Sequence, residues 1–511
     1  MRDRLLNFLT DCGTLVQPDA VDYILSKDEP IRFVKSVLDD FEDKPFILTI
    51  EHLQKIDKIT KVAAAEVKKP KPILPKPNII PEERPLVDIK ENETVLKRPK
   101  ITCAVQELPA DMKLYSDITG NSTCEGKIGD FKLYFNDRLK SIKKLLRTKR
   151  EMAATIPISR VKRAEGTFRI IGMVSDLRTT QKGNKIITLE DENDSINVLL
   201  TKENNLVSDP TVFDEVIGAV CTKFKDDRPR RNLNLVMAQN IIRPDIPVNK
   251  RANRTSEPHY VAFVSDIHVG SDTFLEDEFL TFLSWLRSKE GSKIEYIVVP
   301  GDTVDGIGIY PSQEEELKIN DIYGQYEELA RLFKKVPENI KVIMLPGNHD
   351  AVRPAEPQPT FPEEIRNLIS DKVVFLGNPC YFSIKGVEIL AYHGRSMDDF
   401  IKAIPQLDYR RAKKIMLEML KKRHLVPIYG GRTPIAPEHK DYLVIDKVPD
   451  IFVTGHGHAT DLGNYRNVTL INASCWQSQT KFQKMHNFVP DPAKVPIVNL
   501  ATFETEIKDF S

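Results

Sequence analysis

No stretch of this 511-residue chain approaches the roughly 18–20 consecutive apolar residues of a membrane-spanning helix. The opening "MRDRLLNFLTDCGT" has no signal-peptide cleavage pattern. Cysteines are few and scattered, at positions 12, 103, 124, 221, 380 and 475, with no CxxC pair. That spacing argues against a zinc ribbon and a disulfide framework and fits a reducing, cytoplasmic environment. An excess of either charge is also missing, since 74 Lys and Arg balance 74 Asp and Glu. Nothing in the total advertises a nucleic-acid partner, and any basic surface has to be local.

What remains is ordinary for a soluble globular chain, 41% hydrophobic and 29% charged, and the length calls for two to four domains. Residues 1–60 read as a small helical domain. There "MRDRLLNFLTDCG", "EPIRFVKSVLDDFE" and "TIEHLQKIDKIT" space apolar residues three and four apart. Residues 61–100 read as a proline-rich linker, a plain tether, because seven prolines between Pro70 and Pro99 leave no room for helix or sheet. Residues 101–163 read as a basic helical connector, with Phe135, Leu139, Ile142 and Leu146 on one helical face. Lys132 to Arg163 holds eleven Lys/Arg against two acidic residues, which suits either a solvated face or a phosphate-contacting patch.

Residues 164–250 contain five β-rich runs divided by turn-forming or polar segments such as "QKGN", "DEND" and "DDRPRRN", the pattern of an OB-fold barrel. The arginines of the last loop (Arg228, Arg230, Arg231) suit oligonucleotide contact. The aromatics, chiefly Phe168, Phe213 and Phe224, are few for base stacking. A barrel that contacts protein is the expectation.

From 251 to 511 short apolar strands alternate with helical segments. "YVAFVSD", "IEYIVVPGD", "KVIMLPGNHD", "EILAYHG" and "DIFVTGHGH" each end in polar residues at the strand's C-terminal edge, where α/β sheets collect ligands. In order, those ends give Asp266-x-His268, Gly301-Asp302, Gly347-Asn348-His349-Asp350, His393-Gly394 and Gly455-His456-Gly457-His458. Five of the ten histidines fall in these segments. Carboxylates, imidazoles and one amide oxygen are mixed hard and borderline donors, suited to Mn²⁺, Fe²⁺ or Zn²⁺ rather than Ca²⁺. One aspartate can bridge two ions about 3.5–4 Å apart, the spacing of two-metal hydrolases.

The same order (DxH, GDxxD, GNH[DE], a later H, GHxH) resembles the calcineurin-like metallophosphoesterases over about residues 258–500, with Asp305 completing "GDTVD". The resemblance implies an α/β fold: a phosphoesterase β-sandwich flanked by helices, preceded here by the OB-fold barrel and the small helical domain. It implies two divalent ions, with Mn²⁺ expected. One would be held by Asp266, His268, Asp302 and His458, the other by Asp302, Asn348, His393 and His456. His349 would be catalytic, touching the phosphate and stabilising the leaving oxygen.

The flanks narrow the resemblance. "GKIGDFKLYFNDRLKSIKKLL", "YHGRSMDD", "PIYGGRTPIAPEHKDYLVIDKVPDIF" and "LINASCWQSQTKFQ" are similar to the small subunits of archaeal family D DNA polymerases. That family implies a 3′→5′ exonuclease acting on single-stranded or mispaired primer ends, and a separate large catalytic subunit as partner, with DNA as substrate. Two alternatives stay open, a stand-alone calcineurin-like repair nuclease and a non-catalytic replication scaffold.

Overall fold

The computed structural model describes residues 15–16, 18–25, 27, 30–39, 47–48, 53, 108–223, 234–485 and 487–511. The chain divides into two units, 1–96 and 97–511. In the first, helices Pro18–Leu25 and Pro30–Asp39 accompany a two-residue parallel pair, Leu15–Val16 with Ile47–Leu48. Ala20, Val21 and Ile24 are buried on the first helix, and Val34 and Val37 on the second, matching the three-and-four spacing of their sequences. The "MRDRLLNFLTDCG" segment, "TIEHLQKIDKIT" apart from Leu53, and the proline-rich segment 61–100 lie outside the described residues.

The second unit begins with strand β1 (Met112–Ser116) and helix α1 (Ile128–Arg147). The five expected β-rich runs then form β2 (Thr167–Thr179), β3 (Lys185–Glu190), β4 (Ser195–Leu200), β5 (Val216–Lys223) and β6 (Leu235–Ile242). They close into a barrel in the order β2-β3-β4-β6-β5, with β4 and β6 parallel and the other pairs antiparallel. Closure leaves no unpaired edge. Phe168 points into the barrel core and so offers no stacking face. Phe213 is exposed. Phe224 and the arginine loop lie outside the described residues.

Helix α1 lays Leu139, Ile142 and Leu146 on Ile171, Met173 and Val216 of the barrel, with Phe135 half-buried at the margin. This is the face expected from the sequence. Its basic residues are not all at the surface, however, because Arg138 is fully buried.

Seven strands lead into the two sheets of the C-terminal region: β7 (Tyr260–Phe263), β8 (Ile294–Val299), β9 (Lys341–Met344), β10 (Val373–Phe375), β11 (Cys380–Ile384), β12 (Val387–Ala391) and β13 (Ile451–Thr454). Four more complete them: β14 (Asp461–Tyr465), β15 (Val468–Asn472), β16 (Lys494–Asn499) and β17 (Thr505–Asp509). One sheet runs β10-β9-β8-β7-β16-β17 and the other β14-β15-β13-β12-β11-β1. Period-2 alternation builds the layers. Tyr296 and Val298 of β8 face the core shared with Ile389, Ile451 and Val453 of the second sheet. Ile297 and Val299 turn outward, to the core that includes α2 (Glu276–Trp285) and α3 (Ile322–Phe333). Phe452 and Leu470 of the second sheet turn the other way, toward α4 (Met397–Ala403) and α5 (Ala412–Lys422). The result is a β-sandwich with helices on both outer faces.

Residues 101–163 depart from the expected helical connector. They hold not only a helix but β1, which pairs antiparallel with β11 as an edge strand of the second sheet. Five residues, "MKLYS", are too few for alternation to register beside a 20-residue helix. Among the described residues no helix is long and apolar enough to cross a membrane.

Candidate metal centre

Each predicted ligand follows a strand: Asp266 and His268 after β7, Asp302 after β8, Asn348 after β9, His393 after β12, and His456 and His458 after β13. The strands belong to both sheets, so the ligands converge where the two sets of C-terminal ends meet. Two groups result: Asp266 with His268 and His458, and Asp302 with His393 and His456. Asn348 joins the second, its Oδ1 lying 3.0 Å from His393 Nε2. Asp302 faces both, with Oδ2 3.2 Å from His393 Nε2 and 3.9 Å from His268 Nε2. His458 Nε2 lies 3.3 Å from Asp266 Oδ1 and 3.1 Å from His268 Nε2.

The backbone is bent to achieve this. Asp266, His268, Asp302, His456 and His458 all have positive φ, between 45° and 62°, each at a cost of roughly 1–3 kcal/mol for a residue with a Cβ. Strain concentrated on ligating side chains is the mark of a site held by its surroundings. The glycines beside them are required. Gly301 has φ +112°, and a Cβ there would meet His393 Nδ1; a Cβ on Gly347 would collide with Asp302 Oδ1.

Asp266, Asp302 and Asp305 are at most 1% exposed. Burial opposes their ionisation, but imidazole neighbours hold all three carboxyls below the usual range, Asp302 well below, through His393 and His349 first. Burial likewise opposes a charge on His393, yet Asp302 lifts it to about 9. His268 is pushed down, by burial above all. Three buried carboxylates around converging imidazoles demand compensating positive charge.

The ring nitrogens show which atoms are available. His268 Nδ1 is 2.9 Å from Asp305 Oδ1, His393 Nδ1 is 3.0 Å from the Pro300 carbonyl, and His456 Nε2 is 2.9 Å from Asp398 Oδ1. With one nitrogen donating outward, the other keeps its lone pair for a ligand, the usual tautomer control in metal sites. Mixed oxygen and imidazole donors so oriented fit borderline divalent metal. A third cluster, His268, Asp305 and His349, is bonded internally. Asp305 holds His268, and its carbonyl accepts from His349 Nδ1 at 2.7 Å. His349 Nε2 is left for the adjoining cleft, a space of about 560 Å³ whose other walls include Tyr310, Arg395, Tyr409, Arg432 and Phe488.

Several supporting residues carry roles that spacing alone does not assign. Asp305 orients His268 and Asp398 orients His456. Gln477 donates to Asp305 at 3.1 Å, and the Gln483 amide nitrogen is 3.0 Å from His458 Nδ1. Asp350 accepts from Gly347 N, Thr303 N and Oγ1, and Tyr326 Oη, fixing the turn that presents Asn348. Burial and then the Asp302 charge push the Asp350 carboxyl up to about 6. All lie within quoted stretches such as "GDTVD", "YHGRSMDD" and "WQSQTKFQ". Only their surroundings reveal what each does.

The family of the B subunits of DNA polymerases alpha and epsilon matches residues 261–461, the span of the site's strands from β7 to β13. A DNA polymerase II small subunit from Archaeoglobus fulgidus is 44% identical over 77% of this chain and 80% of its own length. The one from Methanothermobacter thermautotrophicus is 45% identical over 76% and 81%. At this identity and coverage the family is settled. The chain belongs to the archaeal DNA polymerase II small subunits. A further member, from Halobacterium salinarum, aligns over 99% of both chains at 35% identity, so the likeness to this family extends to the N-terminal unit and the segment that follows it.

Proposed function

We propose that this chain is the proofreading subunit of a heterodimeric archaeal replicative DNA polymerase, cytoplasmic, with a large catalytic subunit as its partner. Its activity is a 3′→5′ exonuclease on single-stranded or mispaired primer ends. The observation that carries the reading is that six of the predicted ligands gather into two groups, with Asn348 beside His393 and with Asp302 of one group only 3.9 Å from His268 of the other. A scaffold that had given up catalysis has no use for five strained ligand backbones and three buried carboxylates.

Asp266, His268, Asp302 and His458 would hold one ion, and Asp302, Asn348, His393 and His456 the other, with Mn²⁺ fitting the donors. When bound, such a pair supplies Lewis acidity that activates water and neutralises phosphate charge. The chain's own residues do the rest. Asp305 and Asp398 fix ring orientation, and the Asp305 carbonyl holds His349 so that Nε2 can donate to the leaving 3′-oxygen.

His349→Ala is expected to slow turnover by on the order of 10²–10⁴-fold, the range for a positioned acid, with bound metal retained. His393→Ala should lower metal content. Elemental analysis of both variants decides the division of roles, and equal metal loss in the two contradicts it. The polarity of attack is tested with a 5′-labelled primer, which should shorten in single-nucleotide steps. The steps should be faster on a frayed or mispaired end, because unpairing a stacked base costs a few kcal/mol. Release of the 5′-terminal nucleotide first, or hydrolysis of small phosphodiesters but not DNA, would remove the exonuclease assignment.

A further inference from the structure

The cleft beside the metal centre has an aromatic wall. Tyr409 stands on the short 3₁₀ turn Tyr409–Arg411, and Phe488 follows helix α6 (Lys481–Met485). The two rings meet edge to face, centroids 5.6 Å apart and planes at 72°, and both line the cleft together with His349. The wall is tied to the ligands on both sides. Tyr409 Oη donates to Asp398 Oδ1 at 2.5 Å, the atom that holds His456. The Phe488 amide donates to the carbonyl of Gln483, whose side chain touches His458. Next to Phe488, Met485 and Val489 are 76% and 55% exposed, so the loop presents an apolar rim at this place.

Two cations share the space. Arg432 is largely exposed and reaches Asp398 only at 3.7 Å, and Arg395 gives an N–H to the Pro354 carbonyl. Each guanidinium has five donors in a planar fork suited to phosphate. A metal floor, an aromatic wall and spare guanidinium donors match the three parts of a chain-terminal nucleotide: scissile phosphate, base and neighbouring phosphate.

We propose that Phe488, supported edge-on by Tyr409, is the stacking platform for the unpaired 3′-terminal nucleobase, with Arg395 and Arg432 binding the adjacent phosphates. This rests on the exonuclease reading above. Stacking uses the π-face that every base has, so the platform accepts any terminal base, while a base still paired within a duplex cannot reach it. Selection of frayed ends is then a property of the cleft itself.

The test uses the full-length chain co-expressed with its large subunit, without deoxynucleotides, on 5′-labelled single strands ending either in thymidine or in an abasic residue. The unsubstituted protein should favour the base-bearing end in kcat/KM by about 5- to 100-fold, the range for one base stacked on an aromatic ring. Phe488→Ala and Phe488→Leu should bring that ratio close to one, and Phe488→Tyr should restore it, all with unchanged metal content. A ratio that survives in Phe488→Leu, or that is already near one in the unsubstituted protein, overturns the platform and leaves the exonuclease standing. Failure of the unsubstituted protein to shorten either strand overturns the exonuclease reading and the platform with it.

Discussion

Asp302→Ala is expected to lower metal-dependent phosphodiester hydrolysis by about 10⁴-fold or more, the largest catalytic effect of any single substitution in this chain. Its carboxylate faces both ligand clusters, and its Oδ1 also accepts the His349 backbone N–H at 2.8 Å. Removing it would take a donor from each of the two proposed ions at once and loosen the turn that carries the proposed acid. Folding should persist, because Asp302 lies beyond the end of β8 and outside the apolar layers. Circular dichroism together with metal titration separates the two effects. Activity within about tenfold of the unsubstituted protein, in a variant that binds metal, would falsify the shared-ligand arrangement.

The largest effect on stability is expected far from that centre, at Arg138. Its guanidinium is 0% exposed and donates from Nε to Asp441 Oδ2 at 2.9 Å, from Nη1 to the Pro427 carbonyl at 2.6 Å, and from Nη2 to Tyr134 Oη at 2.8 Å. It also reaches the Asp214 carbonyl, at the barrel, at 3.3 Å. One side chain thereby joins α1, the barrel and the segment before β13. Arg138→Ala leaves Asp441 buried without its guanidinium, with His424 at 2.8 Å and the Leu443 backbone N–H at 3.0 Å as its remaining partners, and breaking a buried pair from one side costs about 3–5 kcal/mol. Arg138→Lys should recover little, since an ammonium cannot span partners spread across the whole fork. Denaturant unfolding at unchanged slope measures it; a loss below about 1 kcal/mol speaks against the network.

The same network sets a pH dependence. Burial, reinforced by the Arg138 charge, pushes His424 down from 6.5 to about 4. Between those values the unfolded chain binds a proton that the folded chain refuses, so stability falls as pH drops from about 6.5 to about 4. Asp441 is opposed by burial but held low by His424 and Arg138. Its contribution is present above the ordinary carboxylate range and is lost on further acidification.

Much of the candidate metal centre was legible because its chemistry is written at strand ends. Asp266-x-His268, Gly301-Asp302, Asn348-His349, His393 and His456-x-His458 each close an apolar run, and the sheet geometry brings those ends together. The barrel was legible for a similar reason, five runs at short spacing. The supporting groups were not. Asp398 and Gln483 reach His456 and His458 from two helices, and Gln477 reaches Asp305 from the loop after β15, so no local period links them to their partners. Arg138 looked like one more cation on a basic helix. Its burial depends on Asp441, 303 positions away.

Strand β1 has a consequence for how the molecule can be divided. The chain donates an edge to the two-sheet sandwich at 112–116, leaves it to build the barrel, and returns at 260. The barrel is therefore an insertion interrupting the sandwich, and does not precede it as a separate bead. A fragment starting at 251 would strip β11 of its neighbour and expose an unpaired row of N–H and C=O groups, an invitation to association with other chains. Excising 164–250 and rejoining the ends would keep that edge covered. Limited proteolysis of the intact protein should therefore nick the loops of the barrel long before it releases a sandwich core free of residues 108–147.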